Sequence, residues 1–134
     1  MKLVEIEIKK RRMGVPSISF HSSGSISISS YFVKNSNLDE TKVVALKFFK
    51  NPADDTDRFI EFNADKNAGG LKLRKDKRTG LLHCNNTHVC HEFISRFGPL
   101  GCRYVSFQLA TDLEKVDGLW LYSIITSNIL TKNK

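Results

Sequence analysis

Apolar and polar residues alternate with period two through much of this chain, the pattern a half-buried β-strand imposes because its successive side chains point to opposite faces. Val4, Ile6 and Ile8 interleave with Glu5, Glu7 and Lys9, which predicts a strand over residues 3–9. A basic cluster, Lys9, Lys10, Arg11 and Arg12, then runs into Gly14 and Pro16, which break the pattern and mark a loop. Ile18 and Phe20 alternate with serines, Ser22-Ser23-Gly24 supplies a turn, and Ile26 and Ile28 alternate with serines again. This predicts a hairpin whose outer face is serine. Ser29 or Ser30 can cap a short helix that carries Tyr31, Phe32 and Val33 and ends near Asn35 to Asn37.

Val43 to Phe49 is almost unbroken apolar sequence and reads as a buried strand. Asn51-Pro52 and Asp54-Asp55 form a polar turn before Phe59-Ile60-Glu61-Phe62, so a second hairpin is expected. Gly69-Gly70 introduces Leu71 to Lys75, and Asp76-Lys77-Arg78-Thr79-Gly80 turns the chain back into Leu81-Leu82-His83-Cys84. Asn86 or Thr87 caps a longer helix from His88 to Phe97, where Val89, Cys90, Phe93, Ile94 and Phe97 recur at helical spacing and Gly98-Pro99 is the stop. Arg103 to Leu109 and Leu119 to Ile125 supply two more strands around a polar turn from Thr111 to Gly118, leaving Lys132-Asn133-Lys134 as a frayed tail.

These elements predict an α+β fold, mainly antiparallel β-sheet with two helices, in a single domain over residues 1–134. Two stretches, about 1–66 and 67–130, share an order. Gly24, strand, helix, strand 43–49, acidic turn and strand 58–62 are echoed by Gly80, strand, helix, strand 103–109, acidic turn and strand 119–123. The echo leads us to expect a diverged internal duplication, with two sheet-plus-helix halves about a pseudo-twofold axis, as in a dimer fused into one chain.

Length and composition narrow the class. A chain of 134 residues can bury a core without staples. With 40% hydrophobic and 26% charged residues it sits near the averages for globular proteins, so a folded chain is expected. No apolar run approaches the ~20 residues that span a bilayer, and the amino terminus lacks a charged segment followed by an apolar one, so we expect a cytoplasmic protein with no membrane partner. Three cysteines argue against a secreted disulfide framework. The balance of 21 Lys and Arg against 14 Asp and Glu gives +7, which favours a polyanionic partner.

Val43 to Phe97 reads as four strands followed by a helix, the last strand entered through Lys77-Arg78-Thr79-Gly80-Leu81-Leu82 and capped by Asn85-Asn86. That order resembles the single-stranded-DNA-binding transcriptional coactivators of the positive-cofactor-four type, and the doubled arrangement looks like the Whirly proteins. The likeness is one of topology and covers most of the chain. It implies curved antiparallel sheets whose basic and aromatic residues hold unpaired bases, with helices forming the core or a dimer contact. Over a shorter span, Ser23 to Ser29, a short helix, Leu38, Lys42 and Val43-Val44 are similar to the glycine-hairpin, strand, helix, strand order of AbrB-like DNA-binding domains. This chain departs from that pattern where Ser29 replaces the usual proline and where Lys34 alone remains of the basic residues around the helix. The first likeness implies single-stranded DNA and the second implies double-stranded DNA.

Lys72, Arg74, Lys75, Lys77 and Arg78 place five cations within seven residues, enough to meet several phosphates if they share a face. Alternation turns Lys72 and Arg74 outward and Leu71 and Leu73 toward the core. The competing reading is a charged, solvated edge strand. Single-strand binders add aromatic platforms worth about 1–3 kcal/mol per stacked base. The candidates are Tyr31, Phe49, Phe59, Tyr104, Trp120 and Tyr122, most of them expected in the core. Tyr104 leads, because it alternates with Ser106 and Gln108 while Val105, Phe107 and Leu109 take the apolar face, and Arg103 stands beside it.

Zinc is the main chemical alternative, since His83, Cys84, His88, Cys90, His91 and Cys102 lie within twenty residues. The sequence has no Cys-x-x-Cys knuckle and Cys90 belongs to an apolar helix face, which leaves Cys84, His88, His91 and Cys102 as weak candidates and no metal or cofactor as the expectation. Catalytic motifs are missing apart from Asp54-Asp55, which is more simply a turn former. A Cys84 or Cys90 nucleophile would need a histidine within hydrogen-bonding reach, which sequence adjacency does not establish. We therefore expect a non-enzymatic nucleic-acid-binding protein that takes single-stranded DNA through Lys9, Lys10, Arg11, Arg12, Lys72, Arg74, Lys75, Lys77, Arg78, Arg103 and Tyr104, on basic sheet edges and exposed aromatics. The alternatives are an AbrB-like duplex-binding regulator and an accessory module that binds an acidic protein. Exposed edges leave assembly into a homo-oligomer open.

Overall fold

The computed structural model describes residues 1–5, 15–39, 41–65, 67 and 69–133. The basic cluster Lys9 to Arg12 and most of the strand expected over 3–9 lie outside the described residues. Leu3 and Val4, at its start, are exposed and belong to no strand.

Alternation sets the first hairpin. β1 (Ser17–His21) and β2 (Ser25–Ile28) pair with Ile18 opposite Ile28 and Phe20 opposite Ile26, and all four are fully buried while the serines face out. Gly24 in the turn has φ +102°, and a Cβ there would stand 2.9 Å from Thr87 Oγ1, so both backbone conformation and close approach exclude a larger residue. Ser29 then caps α1 (Ser30–Asn35), its hydroxyl accepting from the Phe32 amide at 3.2 Å.

β3 (Ala45–Asn51) and β4 (Asp54–Asn63) form the second hairpin. Its turn is Pro52-Ala53, shorter than the acidic turn expected, because Asp54 and Asp55 already belong to β4. The run Leu71 to Lys75 is not one strand with one partner. It splits at Leu73 into β5 (Leu71–Lys72), which pairs with β3, and β6 (Arg74–Lys75), which pairs with β7 (Leu82–Asn85). α2 (Thr87–Phe97) follows, with the Asn86 side chain accepting from the Val89 amide at 2.9 Å. β8 (Tyr104–Leu109), β9 (Glu114–Val116) and β10 (Leu119–Asn133) complete the chain. β9 lies inside the stretch expected as a turn. β10 outruns its expected end because, past a bulge, Thr131, Lys132 and Asn133 pair with β8 and form a strand where a frayed tail was expected.

The described strands form one antiparallel sheet in the order β5-β3-β4-β10-β8-β1-β2-β7-β6, with β9 paired to β10 outside this path. Since β5 and β6 are consecutive in the chain, residues 71–75 join the two ends of the path, and the sheet curls into a nearly closed barrel. The basic segment therefore supplies both edge strands of the sheet and brings them together as a seam. Inside, Phe20 stacks on Phe93 of α2 with ring centroids 4.1 Å apart, and Phe107 and Phe48 meet both rings. A second aromatic group joins Phe32 of α1 to Phe62 and Tyr122. Each helix thus anchors one aromatic cluster, and truncating such a buried ring costs about 3–5 kcal/mol. No helix among the described residues is long and apolar enough to cross a membrane.

Candidate nucleic-acid interface

The period-two pattern that buries Ile18, Phe20, Ile26 and Ile28 necessarily turns the intervening side chains outward. On neighbouring strands these outward positions are in register. Ser106, Ser19, Ser27, His83 and Arg74 form an unbroken row of direct cross-strand partners over β8, β1, β2, β7 and β6. At about 4.8 Å per strand the row spans roughly 19 Å. One pleat along, Tyr104 lies opposite His21, and Ser25 opposite Asn85.

Hydrogen bonds hold one side of this face. Ser19 Oγ and Ser106 Oγ are 2.5 Å apart, Ser106 Oγ donates to the Tyr104 hydroxyl at 2.9 Å, and that hydroxyl donates to Ser19 Oγ at 3.3 Å. The Tyr104 ring is thereby pinned, half-buried, against the sheet. His21 Nδ1 accepts from the Ser23 amide at 3.0 Å and lies 2.9 Å from Ser23 Oγ. An accepting Nδ1 puts the proton of the neutral ring on Nε2. A cavity of about 310 Å³ opens here, lined by Ser19, His21, Ser23, Ser25, Ser27 and Tyr104.

Cations border the face. Lys72, Arg74, Lys75, Lys77 and Arg78 are all exposed on β5, β6 and the following turn, while Leu71 and Leu73 pack against the core as alternation predicts. The turn is organised by Asp76, whose Oδ1 accepts from the Arg78 amide at 2.9 Å and the Thr79 amide at 3.3 Å, and whose Oδ2 is 3.9 Å from His83 Nε2. The Arg78 amide bond is the main reason its carboxyl is held below the ordinary aspartate value. Among the described residues no carboxylate pairs with Lys72, Arg74, Lys77 or Arg78. Arg103 is exposed at the far margin beside Tyr104, and its carbonyl accepts from Ser22 in the β1–β2 turn at 2.8 Å.

The fold thus puts the 72–78 cations at one margin of the face and Arg103 and Tyr104 at the other. His21 and His83 escaped sequence reasoning as members of this face, although their positions in the serine alternation were the available signal. Of the other aromatic candidates, Phe59 and Tyr122 are buried and Phe49 is half-buried. Tyr31 is exposed on α1, and Trp120, 57% exposed, lies opposite Lys115 on the β9–β10 hairpin, whose strands are not among these five.

The cysteines and histidines do not converge. Cys84, Cys90 and Cys102 are buried and free, whereas His88 and His91 are on the exposed side of α2. Among the described residues no three His, Cys, Asp or Glu side chains are grouped to hold a metal ion. Burial pushes the Cys84 thiol up to about 12, leaving it protonated at neutral pH and a poor nucleophile or ligand. Burial likewise raises Cys90, whose thiol donates to the Ser25 carbonyl at 3.5 Å. Comparison with known proteins finds no match to this chain among family models, curated proteins or solved structures.

Proposed function

We propose that this protein is a non-catalytic nucleic-acid-binding protein that holds single-stranded DNA across the β8-β1-β2-β7-β6 face, with Lys72, Arg74, Lys77 and Arg78 on its phosphates. The observation that carries the reading is the separation of charge. These four cations are exposed and lack carboxylate partners among the described residues, and they border a face of hydroxyls and imidazoles. Lysine, arginine and hydroxyl side chains are the groups that contact phosphate and sugar, and unpaired surface cations release counterions when they bind a polyanion. Action in the cytoplasm fits the three free, buried thiols.

Fluorescence anisotropy of a labelled single strand of about 30 nucleotides, titrated at several salt concentrations, tests the reading. Four phosphate contacts predict a slope of roughly −3 in log K against log salt for a single strand. The variant K72A/R74A/K77A/R78A is expected to lose most of the affinity and most of the slope. Wild-type protein that fails to bind at low salt would sink the proposal and leave the module that binds an acidic protein as the better account.

A second reading, a duplex binder similar to the AbrB-like domains, draws on the pairing scheme, and with it we propose that the chain is an internal duplication. If β1, β2, α1, β3 and β4 correspond to β5–β6, β7, α2, β8 and β10, every pairing along the path from β5 to β6 has a counterpart, and β9·β10 stands outside the scheme. β1·β2 answers to β6·β7, β1·β8 to β5·β3, and β3·β4 to β8·β10, while β2·β7 and β4·β10 are their own counterparts. Gly24 abuts Thr87, the first residue of α2, and a Cβ on Gly80 would stand 3.2 Å from Ser30, the first residue of α1. Each half in this scheme runs glycine turn, strand, helix, strand, the order noted for those domains. Unlabelled duplex that displaces the single strand at lower concentration than single-stranded competitor would favour this second reading.

A further inference from the structure

We infer that the cavity between His21 and Tyr104 is a subsite for one nucleobase of the bound strand, with His21 and Tyr104 as its two aromatic walls; this rests on the nucleic-acid reading above. Three observations lead there. The first is size. About 310 Å³ stands at the small end of the roughly 300–1,000 Å³ range of ligand pockets, which suits a single planar heterocycle better than an extended chain.

The second is the character of the lining. Among the described residues no lysine or arginine lines the cavity, and the Nδ1 of His21 is occupied as an acceptor, so the described lining lacks the charge-assisted donors that a phosphate would need. Ser19, Ser25 and Ser27 instead supply hydroxyls that both donate and accept, matching the mixed donors and acceptors of a base edge. Arg103 stands next to Tyr104 in the chain, and Arg74 closes the same row of strands three positions from β1, so cations lie outside the pocket along the face.

The third is preorganisation. His21 and Tyr104 are direct partners across β1 and β8, yet their rings do not cover each other, with centroids 6.5 Å apart and planes inclined at 50°. Each ring is already held, Tyr104 by Ser19 and Ser106 and His21 by Ser23. A base entering the site therefore meets walls whose rotamers need little further ordering, so more of the stacking energy is kept as affinity.

The test compares two single strands of equal length and charge, one carrying bases and one abasic throughout, by anisotropy against wild type and the variants Y104A, Y104F, H21A and K72A/R74A, with a thermal melt of each to establish folding. Wild type is expected to bind the base-bearing strand roughly tenfold more tightly than the abasic one, the scale of one stacked base. Y104A and H21A should reduce that ratio toward one with the salt slope unchanged, and Y104F, which keeps the ring, should preserve most of it. K72A/R74A should weaken both strands alike. Equal wild-type affinity for the two strands would overturn the subsite while leaving nucleic-acid binding standing, as would a Y104F variant that loses discrimination as fully as Y104A. Failure of wild type to bind either strand would instead remove the underlying function.

Discussion

Two groups of cations in this protein show opposite uses of positive charge. Arg58 on β4 is only 4% exposed and is spent on the fold. Its Nη1 donates to the Asp55 and Asp57 carbonyls at 2.6 and 3.0 Å, its Nη2 is 3.5 Å from Glu92, and the guanidinium lies 5.2 Å from the Phe97 ring centroid. Arg96 approaches the same ring at the same distance and binds Asp55 at 2.6 Å, so α2 is tied to the start of β4 through two arginines and two carboxylates. Lys72, Arg74, Lys77 and Arg78 are exposed, and the nearby Asp76 is spent on turn amides and His83. The charge is alike in both places, and burial and partners decide whether it is taken up by the fold or stays exposed to solvent.

The largest expected effect separates the two groups by stability. Arg58→Met leaves two carbonyls without their donor and removes a buried charge from its partners, for a cost of about 3 kcal/mol. The Arg58 Nε has no partner among the described residues, which keeps the figure at the lower end of the range for breaking a buried ion pair. Thermal melts should show Tm falling by roughly ten degrees, with single-strand affinity unchanged wherever the protein is folded. The K72A/R74A/K77A/R78A variant should do the reverse and keep its Tm within a few degrees while losing affinity. A Tm loss in that variant as large as in R58M would show that the seam cations belong to the fold.

Acid should act next, and through the first group. The Arg96 hydrogen bond holds the Asp55 carboxyl below its ordinary value of 3.8. A depressed folded-state pKa means that this contribution is complete above the unfolded value and is lost as pH falls through the lower folded one. Urea midpoints should therefore be flat from neutral pH to about 4 and decline below it, and Asp55→Asn should be less stable than wild type at neutral pH with a shallower acid decline. An unaltered acid profile in that variant would detach Asp55 from the arginine cluster.

The smallest effect belongs to the second group. Asp76→Asn keeps a side-chain oxygen for the Arg78 and Thr79 amides but removes the only carboxylate within residues 72–78. Single-strand affinity should rise about twofold to threefold, with the gain shrinking as salt is added. Unchanged affinity at low salt would mean that phosphates do not approach this turn.

Local sequence carried a good deal of the fold. The serine-separated apolar pairs of β1 and β2, the caps at Ser29 and Asn86, the helix that closes at Gly98 and the inward Val105, Phe107 and Leu109 all follow from interactions within a few residues. Tyr104 on an outward position was legible for the same reason. His21 passed unnoticed because its place in the face depends on Tyr104, 83 residues away, arriving opposite it. β9 was hidden in a polar stretch, since a three-residue strand paired to Leu119–Leu121 leaves almost no periodic trace.

The sequence by itself determined which side chains face inward and which outward, because strand and helix periodicity is a property of consecutive residues. Only the tertiary structure decided what stands beside what. It parted Leu71–Lys72 from Arg74–Lys75 at Leu73 and sent them to different partners, brought the sheet's two edges together at that segment, and aligned Ser106, Ser19, Ser27, His83 and Arg74 in one row. It also buried Arg58 while leaving Arg74 in water. Strand neighbours are chosen by the packing of a core shared among distant segments, and a period of two records a face without recording the neighbour.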